Sequence, residues 1–510
     1  MPPALYLINP ASDFPTYFSA EVFAACGLRP ATYMADLATT TLAAMATPHV
    51  PVDICDENVT AIDFDHEAEY VGITGKLTQY SRMVAVAQRF RAAGKTVLIG
   101  GPCASLSPDL LRAHCDILVR GEIEEISDEL FSALRAGTWK DEYVGTRPDL
   151  AGSPTPRWDK YPNHRAMSGT LQTSRGCPFE CEFCDVIQYL GRKQRHKPIA
   201  QVLHELDVLY RYGYRSVFLA DDNFTVYRAR AKELLAAMRA WNERQSDGPV
   251  HFITQVSIDA ARDDELLRMC ATAGLRQVFV GIETPNVESL RETKKRQNLH
   301  GDLVAEVQRF IDHGIVVYAG MIVGFDHDGP EIFRRQYEFA SATPIPVFSL
   351  GALVAPAATP LHDRMAAAGR LVEGSEVAAM PWSTNIEPRA ITRDELFHGM
   401  RWLCNSLYAP GEFGARVFKL LDGLRGTLPA SPRSAAINAR KPETLPSDLR
   451  MLVAQLGSLG AEESQMLEKI LARLTEQREA RYFVGAHLVQ YMQVRHMYAY
   501  GRFWDPRPTA

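Results

Sequence analysis

The stretch Thr170-Leu171-Gln172-Thr173-Ser174-Arg175-Gly176-Cys177-Pro178-Phe179-Glu180-Cys181-Glu182-Phe183-Cys184 decides the reading of this chain. It opens on a short apolar run of strand type and passes directly into a loop holding three cysteines in the spacing C-x3-C-x2-C. Thiolates this close in sequence can fold around one metal centre. A fully ligated iron–sulfur cubane takes four cysteine thiolates, so three in one loop leave one iron open to another ligand. A structural zinc site, normally closed by four Cys or His ligands, is a second reading, and three reduced thiols a third. No histidine stands at zinc-finger spacing, and the loop follows the first strand of a βα series, the end at which such folds carry chemistry.

Downstream of the loop, apolar runs at Ser216–Leu219, Phe252–Val256, Gln277–Val280, Val316–Val323 and Val347–Leu350 alternate with helical periodicity. Six such units, counted from 170–173, predict a partial (βα)6 barrel over 166–352. Upstream, Leu5–Ile8, Val52–Cys55, Tyr70–Thr74, Val97–Ile99 and Ile117–Val119 read as buried parallel strands, with helical patterns at Ser81–Ala93 and Ile123–Ala136. That alternation predicts a doubly wound α/β sheet over 1–140. A Pro-rich polar stretch, 141–165, reads as a linker. Beyond residue 353 helical periods take over, on both sides of a break from Thr427 to Asp448. After the break Met466, Leu467, Ile470, Leu471 and Leu474 form one apolar stripe, the mark of a helix packed on its own protein.

Composition narrows the class. The chain has 510 residues, 46% apolar and 23% charged, with a net charge of −6 and no basic stripe, so a nucleic-acid partner is not expected. No window approaches the roughly 18 uninterrupted apolar residues of a spanning helix, and Met1 to Asn9 lacks a leader pattern, so a cytoplasmic protein without transmembrane segments is expected. Six of the nine cysteines are scattered without paired spacing, as reduced thiols are.

The cysteine loop, the aromatic Phe183 before its last cysteine and the six-unit partial barrel resemble the radical S-adenosylmethionine (SAM) superfamily. The resemblance implies a [4Fe-4S] cluster on Cys177, Cys181 and Cys184, with SAM chelating the open iron and cleaved to a 5′-deoxyadenosyl radical. It also implies SAM contacts from Phe183, from Asp222 after the second strand, from Gln255 and Ser257 after the third, and from Gly281 and Glu283 after the next. Asp, Ser and Glu at strand ends are equally ordinary helix caps. Gly320 and Gly324 admit close backbone approach, and a tight turn accounts for Gly324 as well.

Three loops follow predicted strands of the N-terminal sheet: Thr74-Gly75-Lys76-Leu77, Gly100-Gly101-Pro102 and Gly121-Glu122. Open α/β sheets bind ligands at the carboxyl ends of their strands. Glycines there let the backbone lie flat on a large planar ligand, though any doubly wound fold needs such turns. A domain of this kind ahead of a radical SAM barrel, with a helical C-terminal domain behind, resembles the cobalamin-binding radical SAM family, in the branch that contains hopanoid methylases. Cobalamin held by these three loops is then expected, without a histidine on cobalt, since no Asp-x-His-x-x-Gly is present. The resemblance implies C-methylation of an unactivated carbon on a small-molecule or lipid-like substrate, with an external one-electron reductant of flavodoxin or ferredoxin type. A cyclisation, rearrangement or oxidation without methyl transfer is the alternative enzyme class, and a cluster-bearing regulatory or binding protein the non-enzyme one.

Replacing Cys177, Cys181 and Cys184 together by Ala should abolish the broad visible absorption of a thiolate-bound iron–sulfur centre in anaerobically reconstituted protein. Replacing Cys270 and Cys404 should leave it. A triple variant that retained the absorption would refute the ligand assignment.

Overall fold

The computed structural model describes residues 3–375, 380–429 and 445–505. Fifteen strands are present among them. In the first half these are β1 (Leu5–Asn9), β2 (Thr32–Met34), β3 (Val52–Asp56), β4 (Tyr70–Thr74), β5 (Thr96–Gly100), β6 (Ile117–Arg120) and β7 (Glu142–Val144). They are followed by β8 (Ala166–Leu171), β9 (Ser174–Arg175), β10 (Arg195–His196), β11 (Ser216–Leu219), β12 (His251–Val256), β13 (Leu275–Glu283), β14 (Val316–Val323) and β15 (Phe348–Ala352).

The first sheet runs β3-β1-β4-β5-β6-β7, all parallel. Alternation along each strand feeds two cores. Tyr6 and Ile8 face a helix layer carrying Met83, Val86 and Phe90, while Leu5 and Leu7 face Ala43, Phe131 and Leu134. Side chains buried on both faces are what a parallel sheet covered by helices requires, hence the near-continuous apolar runs. The predicted doubly wound sheet is therefore present.

The second sheet runs β15-β14-β13-β12-β11-β8-β2, also parallel throughout, and curls into a half-barrel. Its six later strands match the predicted series, with β8 beginning four residues earlier than the apolar run suggests. The edge strand β2 comes from the N-terminal part of the chain and pairs with β8, Thr32 opposite Ala166 and Met34 opposite Ser168. Residues Tyr17 to Ala35 accordingly share the core of the barrel and the C-terminal helices. The three-residue strand has no periodicity to read, which is why sequence missed it. Likewise β7 and the buried Trp158 stand within the stretch read as a linker.

Behind the barrel, long helices including Arg393–Tyr408, Pro410–Leu424, Ala461–Glu476 and Arg481–Tyr500 form the C-terminal part. In the apolar stripe Met466, Leu467, Ile470 and Leu474 are buried, but Leu471 is 46% exposed, being turned to the edge of that face. The Thr427–Asp448 break lies mostly outside the described residues. Arg165 ties the three parts together. Its guanidinium donates to the Pro30 carbonyl at 2.8 Å, to the Arg29 carbonyl at 2.5 Å and to Asp448 at 2.8 Å, and Arg165 and Asp448 are themselves buried.

Arg165→Met should destabilise the fold by about 3 kcal/mol, because it leaves the Asp448 carboxylate buried beside only Arg29. A calorimetric melt indistinguishable from the parent's would show that this tie does not carry the fold.

Candidate functional site

At the carboxyl end of β8 the chain turns through Thr173 and Ser174 into the cysteine loop, and one carboxylate fixes the turn. Asp221, fully buried after β11, accepts from the Thr173 amide at 2.7 Å, the Ser174 amide at 3.1 Å, the Ser174 hydroxyl at 2.7 Å and the Thr173 hydroxyl. Its neighbour Asp222 accepts from the Gly176 amide at 2.7 Å. Gly176 has φ +94°, and a Cβ there would meet the Lys193 carbonyl oxygen at 2.7 Å and that of Gly191 at 2.9 Å. Only glycine suits this position. Burial pushes Asp222 up to about 6, against the Gly176 hydrogen bond.

Cys181 is buried, and Cys177 and Cys184 are half-buried; all three are free thiols. Among the described residues no three Cys, His, Asp or Glu side chains converge closely enough to hold a single metal ion. A cubane is several atoms across and asks for thiols spread around it rather than closed on one point. Burial raises the Cys177 thiol and pushes Cys184 up to about 12, while Lys295 pulls both down. Lys295 is held by Glu283, Nζ to Oε1 2.6 Å, and its ammonium lies 5.9 Å from the centre of the Phe183 ring. Burial alone would lower Lys295; Glu283 and then Cys181 raise it. Glu283 adopts φ +64°, a left-handed conformation that costs a non-glycine residue of order 1 kcal/mol. The Gln297 amide nitrogen sits 3.5 Å from the Cys181 sulfur. The thiol trio, a buried cation and an amide donor fit an anionic thiolate-bound cluster.

The back of the loop is anchored by charge. Arg364 donates to Glu182 at 2.9 and 3.0 Å, to Glu292 at 2.7 Å and to Asp326 at 2.6 Å, and Arg370 adds 2.6 Å to Asp326. Burial, reinforced by Asp326, pushes Glu292 up to about 7. Asp326, although also partly buried, is held at about 2 by Arg370 and Arg364.

A cavity of about 2570 Å³ lies between the two sheets and runs on inside the half-barrel. Of the residues expected at the cobalamin loops, Thr74, Gly75, Lys76, Gly100, Gly101, Pro102, Gly121 and Glu122 line it, and Leu77 does not. Gly101 has φ +91°, and a Cβ there would strike Thr74 Oγ1 at 2.8 Å and the Gly75 amide nitrogen at 2.9 Å, so the loops close on each other as bare backbone. Glu122 is already engaged: buried, it accepts from Arg175 at 2.7 Å and from Arg195 at 2.6 and 2.9 Å. The carboxylate expected at a ligand, while lining the cavity, also joins the N-terminal sheet to the cysteine loop.

Of the expected SAM residues only Gln255 lines the cavity; Phe183, Asp222, Ser257, Gly281, Glu283 and the cysteines do not. Ser257 accepts from Asn223 at 3.1 Å. Gly281 gives room to the Glu283–Lys295 pair, since a Cβ there would meet Glu283 Oε1 at 2.3 Å. Lys295, Gln297 and Arg195 escaped the sequence reading. For Lys295 and Gln297 the one signal was the polar run Lys294-Lys295-Arg296-Gln297-Asn298, which looks like any solvated loop, and for Arg195 the equally bland Arg192-Lys193-Gln194-Arg195.

The Radical SAM superfamily profile matches residues 171–340, and the family described as a domain of unknown function, DUF4070, matches 359–497. An uncharacterized methyltransferase of Synechocystis is 39% identical over 332 residues, covering 64% of this chain and 61% of that protein. The hopanoid C-2 methylase of Rhodopseudomonas palustris is 32% identical over 329 residues, covering 63% and 62%. The chain thus spans about three fifths of the length of these relatives. Among solved structures, the cobalamin-dependent radical SAM enzyme OxsB superposes with TM-score 0.62 over 98% of this chain and 80% of its own, at 15% identity. The radical SAM methyltransferase TsrM of Kitasatospora setae gives 0.56 over 72% and 78%, at 18% identity.

Glu122→Ala should cost about 3 kcal/mol in a thermal melt, because Arg175 loses one of its two carboxylates and Arg195 loses its own. A melt within a few tenths of the parent would mean the bridge is dispensable. Because Asp222 in the fold sits at about 6, above the ordinary value near 4, its stabilising share is complete below pH of about 4 and disappears as pH rises through 6. Asp222→Asn should flatten that part of the stability–pH curve of the cluster-free protein, and an unchanged curve would contradict the assignment.

By sequence and by fold, this chain carries a radical SAM domain followed by a DUF4070 domain and stands close to the hopanoid C-2 methylase and the cobalamin-dependent radical SAM enzymes.

Proposed function

We propose that the chain is a cobalamin-dependent radical SAM C-methyltransferase acting on an unactivated carbon. The observation that carries this reading is one cavity bounded on one side by the glycine loops of the first sheet and on the other by residues flanking the cysteine loop, Arg175 and Tyr189 among them. In this reading 1–140 holds cobalamin, 166–352 the cluster and SAM, and 353–510 shapes the substrate site, with residues Thr32–Met34 crossing from the first unit into the second sheet.

When bound, the cluster delivers one electron to cleave SAM and cobalamin carries the methyl group to be transferred. The protein's share is positioning. Cys177, Cys181 and Cys184 hold the cluster, with Lys295 offsetting thiolate charge and Gln297 donating to the Cys181 sulfur. Gln255 and Ser257 stand at strand ends where SAM would lie. Gly75, Gly100 and Gly101 present backbone to a flat macrocycle, and Glu122 with Arg175 and Arg195 holds the two binding surfaces at a fixed separation. An external one-electron donor of flavodoxin or ferredoxin type and a small-molecule or lipid-like substrate complete the scheme. No helix among the described residues is long and apolar enough to cross a membrane.

The test is stoichiometry under a low-potential reductant. Methyl transfer requires S-adenosylhomocysteine and 5′-deoxyadenosine to accumulate together, with deuterium from labelled SAM methyl in the product. Formation of 5′-deoxyadenosine and product without S-adenosylhomocysteine or label would replace this reading by a radical cyclisation, rearrangement or oxidation.

A further inference from the structure

The end of the half-barrel remote from the cysteine loop carries polar groups that nothing so far uses. Inner side chains repeat every second residue along each strand. On β12 these are His251, Ile253 and Gln255; on β13 Gln277 and Phe279; on β14 Tyr318. Read from the carboxyl ends downward, the cavity wall passes from Gln255 with Phe279 opposite it, through Ile253 with Gln277 and Phe218 on either side, to His251, a drop of about 13 Å at strand rise. Tyr33, on β2, joins the same lower end, because its strand pairs with the first residues of β8.

The helix Arg481–Tyr500 closes that end. Tyr482 stacks on the His251 ring at 4.7 Å, His487 lies 4.5 Å from the Tyr318 ring, and Ala486, Val489 and Gln490 face the cavity. His487, Gln277 and Gln490 are each at most 3% exposed. Yet six buried polar atoms here have no partner among the described residues: Tyr33 OH, His251 Nδ1, Gln277 Oε1, both ring nitrogens of His487 and Gln490 Oε1. Gln277 spends its amide nitrogen on Tyr318 OH at 3.0 Å, leaving only its oxygen free.

Residues at the amino-terminal end of a barrel ordinarily serve packing, and packing residues have their polar atoms satisfied. Leaving a buried donor or acceptor unmade is costly; Tyr33, His251, Gln277 and Gln490 line the cavity, with the His487 ring packed against Tyr318 behind them, so four unpartnered atoms at the end of an open cavity point to a ligand that supplies the partners. None of the six belongs to a charged group. Burial holds His251 and His487 down at about 4 and about 3, so both rings are neutral at physiological pH. Of the arginines nearby, Arg276 donates to the Gly314 carbonyl and Arg215 to the Tyr210 and Tyr214 carbonyls.

We infer that this floor, built jointly by β2, β12, β13 and the helix Arg481–Tyr500 of the C-terminal part, is the recognition site for the polar end of the substrate: an elongated, mainly apolar, uncharged molecule whose hydroxyl or carbonyl groups lie opposite the reacting carbon. The apolar body fits the Phe218, Ile253 and Phe279 walls. The inference rests on the proposed function only for which end carries the reacting carbon.

Equilibrium dialysis on the full chain, with farnesol, the matching saturated hydrocarbon farnesane and the carboxylate farnesoate as probes, tests it without requiring turnover. A failure of SAM chemistry therefore leaves this result readable. Farnesol should bind about tenfold more tightly than either comparator. Gln490→Leu and Gln277→Leu should each weaken farnesol about five- to tenfold, the worth of one neutral hydrogen bond in a dry site, and leave farnesane unmoved. Two variants on different elements are used so that one that melts early does not decide the matter. Equal binding of farnesol and farnesane would mean that only water satisfies these groups, and tightest binding of farnesoate would give the site to the arginines that line the cavity. Either result, no binding of any probe, or two folded variants that bind farnesol as the parent does, overturns the inference.

Discussion

The arrangement depends on one buried carboxylate shared by two guanidinium groups. Glu122 follows the strand β6 of the first sheet by two residues; Arg175 is two residues before Cys177, and Arg195 begins the strand that pairs back onto it. Two sheets, each with its own core, would otherwise be free to shift relative to one another, since interfaces between domains are ordinarily modest and mobile. A buried charge pair is a poor source of net stability, because desolvation cancels most of the attraction. It is nevertheless intolerant of misplacement, since an unpaired charge in that position is expensive. That intolerance is what a reaction between two separately bound groups needs.

The same logic recurs at the next layer. Asp221 and Asp222 hold the entry to the cysteine loop through backbone amides, and Arg364 with Glu182, Glu292 and Asp326 holds its back. Between these anchors the thiols themselves are positioned by ordinary turns, the Cys184 amide donating to the Cys181 carbonyl at 3.1 Å and the Cys177 amide to that of Gly191 at 3.2 Å. The loop is preorganised by neighbours rather than by its own ligands, as a site that must meet two further molecules requires.

What sequence could disclose follows from how local each feature is. Runs such as Ser216–Leu219 and Val316–Val323 are buried on both faces of a parallel sheet, so their apolar character survives in the sequence and their strands were legible. Cys177, Cys181 and Cys184 are close along the chain, and their spacing alone announced the loop. The glycine loops were legible as turns, and seven of the eight expected residues that line the cavity there do so without an ion pair of their own, Glu122 being the exception. By contrast β2 is three residues long and recruited by β8 across about 130 positions, and Lys295, Gln297, Arg195 and Arg364 reach the site by topology. The polar floor is the extreme case, because Tyr33, Gln277 and Gln490 are hundreds of residues apart and individually unremarked.

If the Glu122 bridge fixes the two binding surfaces across one cavity, a cobalt centre on the glycine loops and an iron–sulfur cluster on the three thiols must sense each other magnetically. Electron paramagnetic resonance of anaerobic protein loaded with cob(II)alamin and then reduced measures this most directly. The expected cob(II)alamin signal is broadened or split by the reduced cluster and sharpens when the three cysteines are replaced by alanine. A cob(II)alamin signal that is identical with and without the cluster would contradict it.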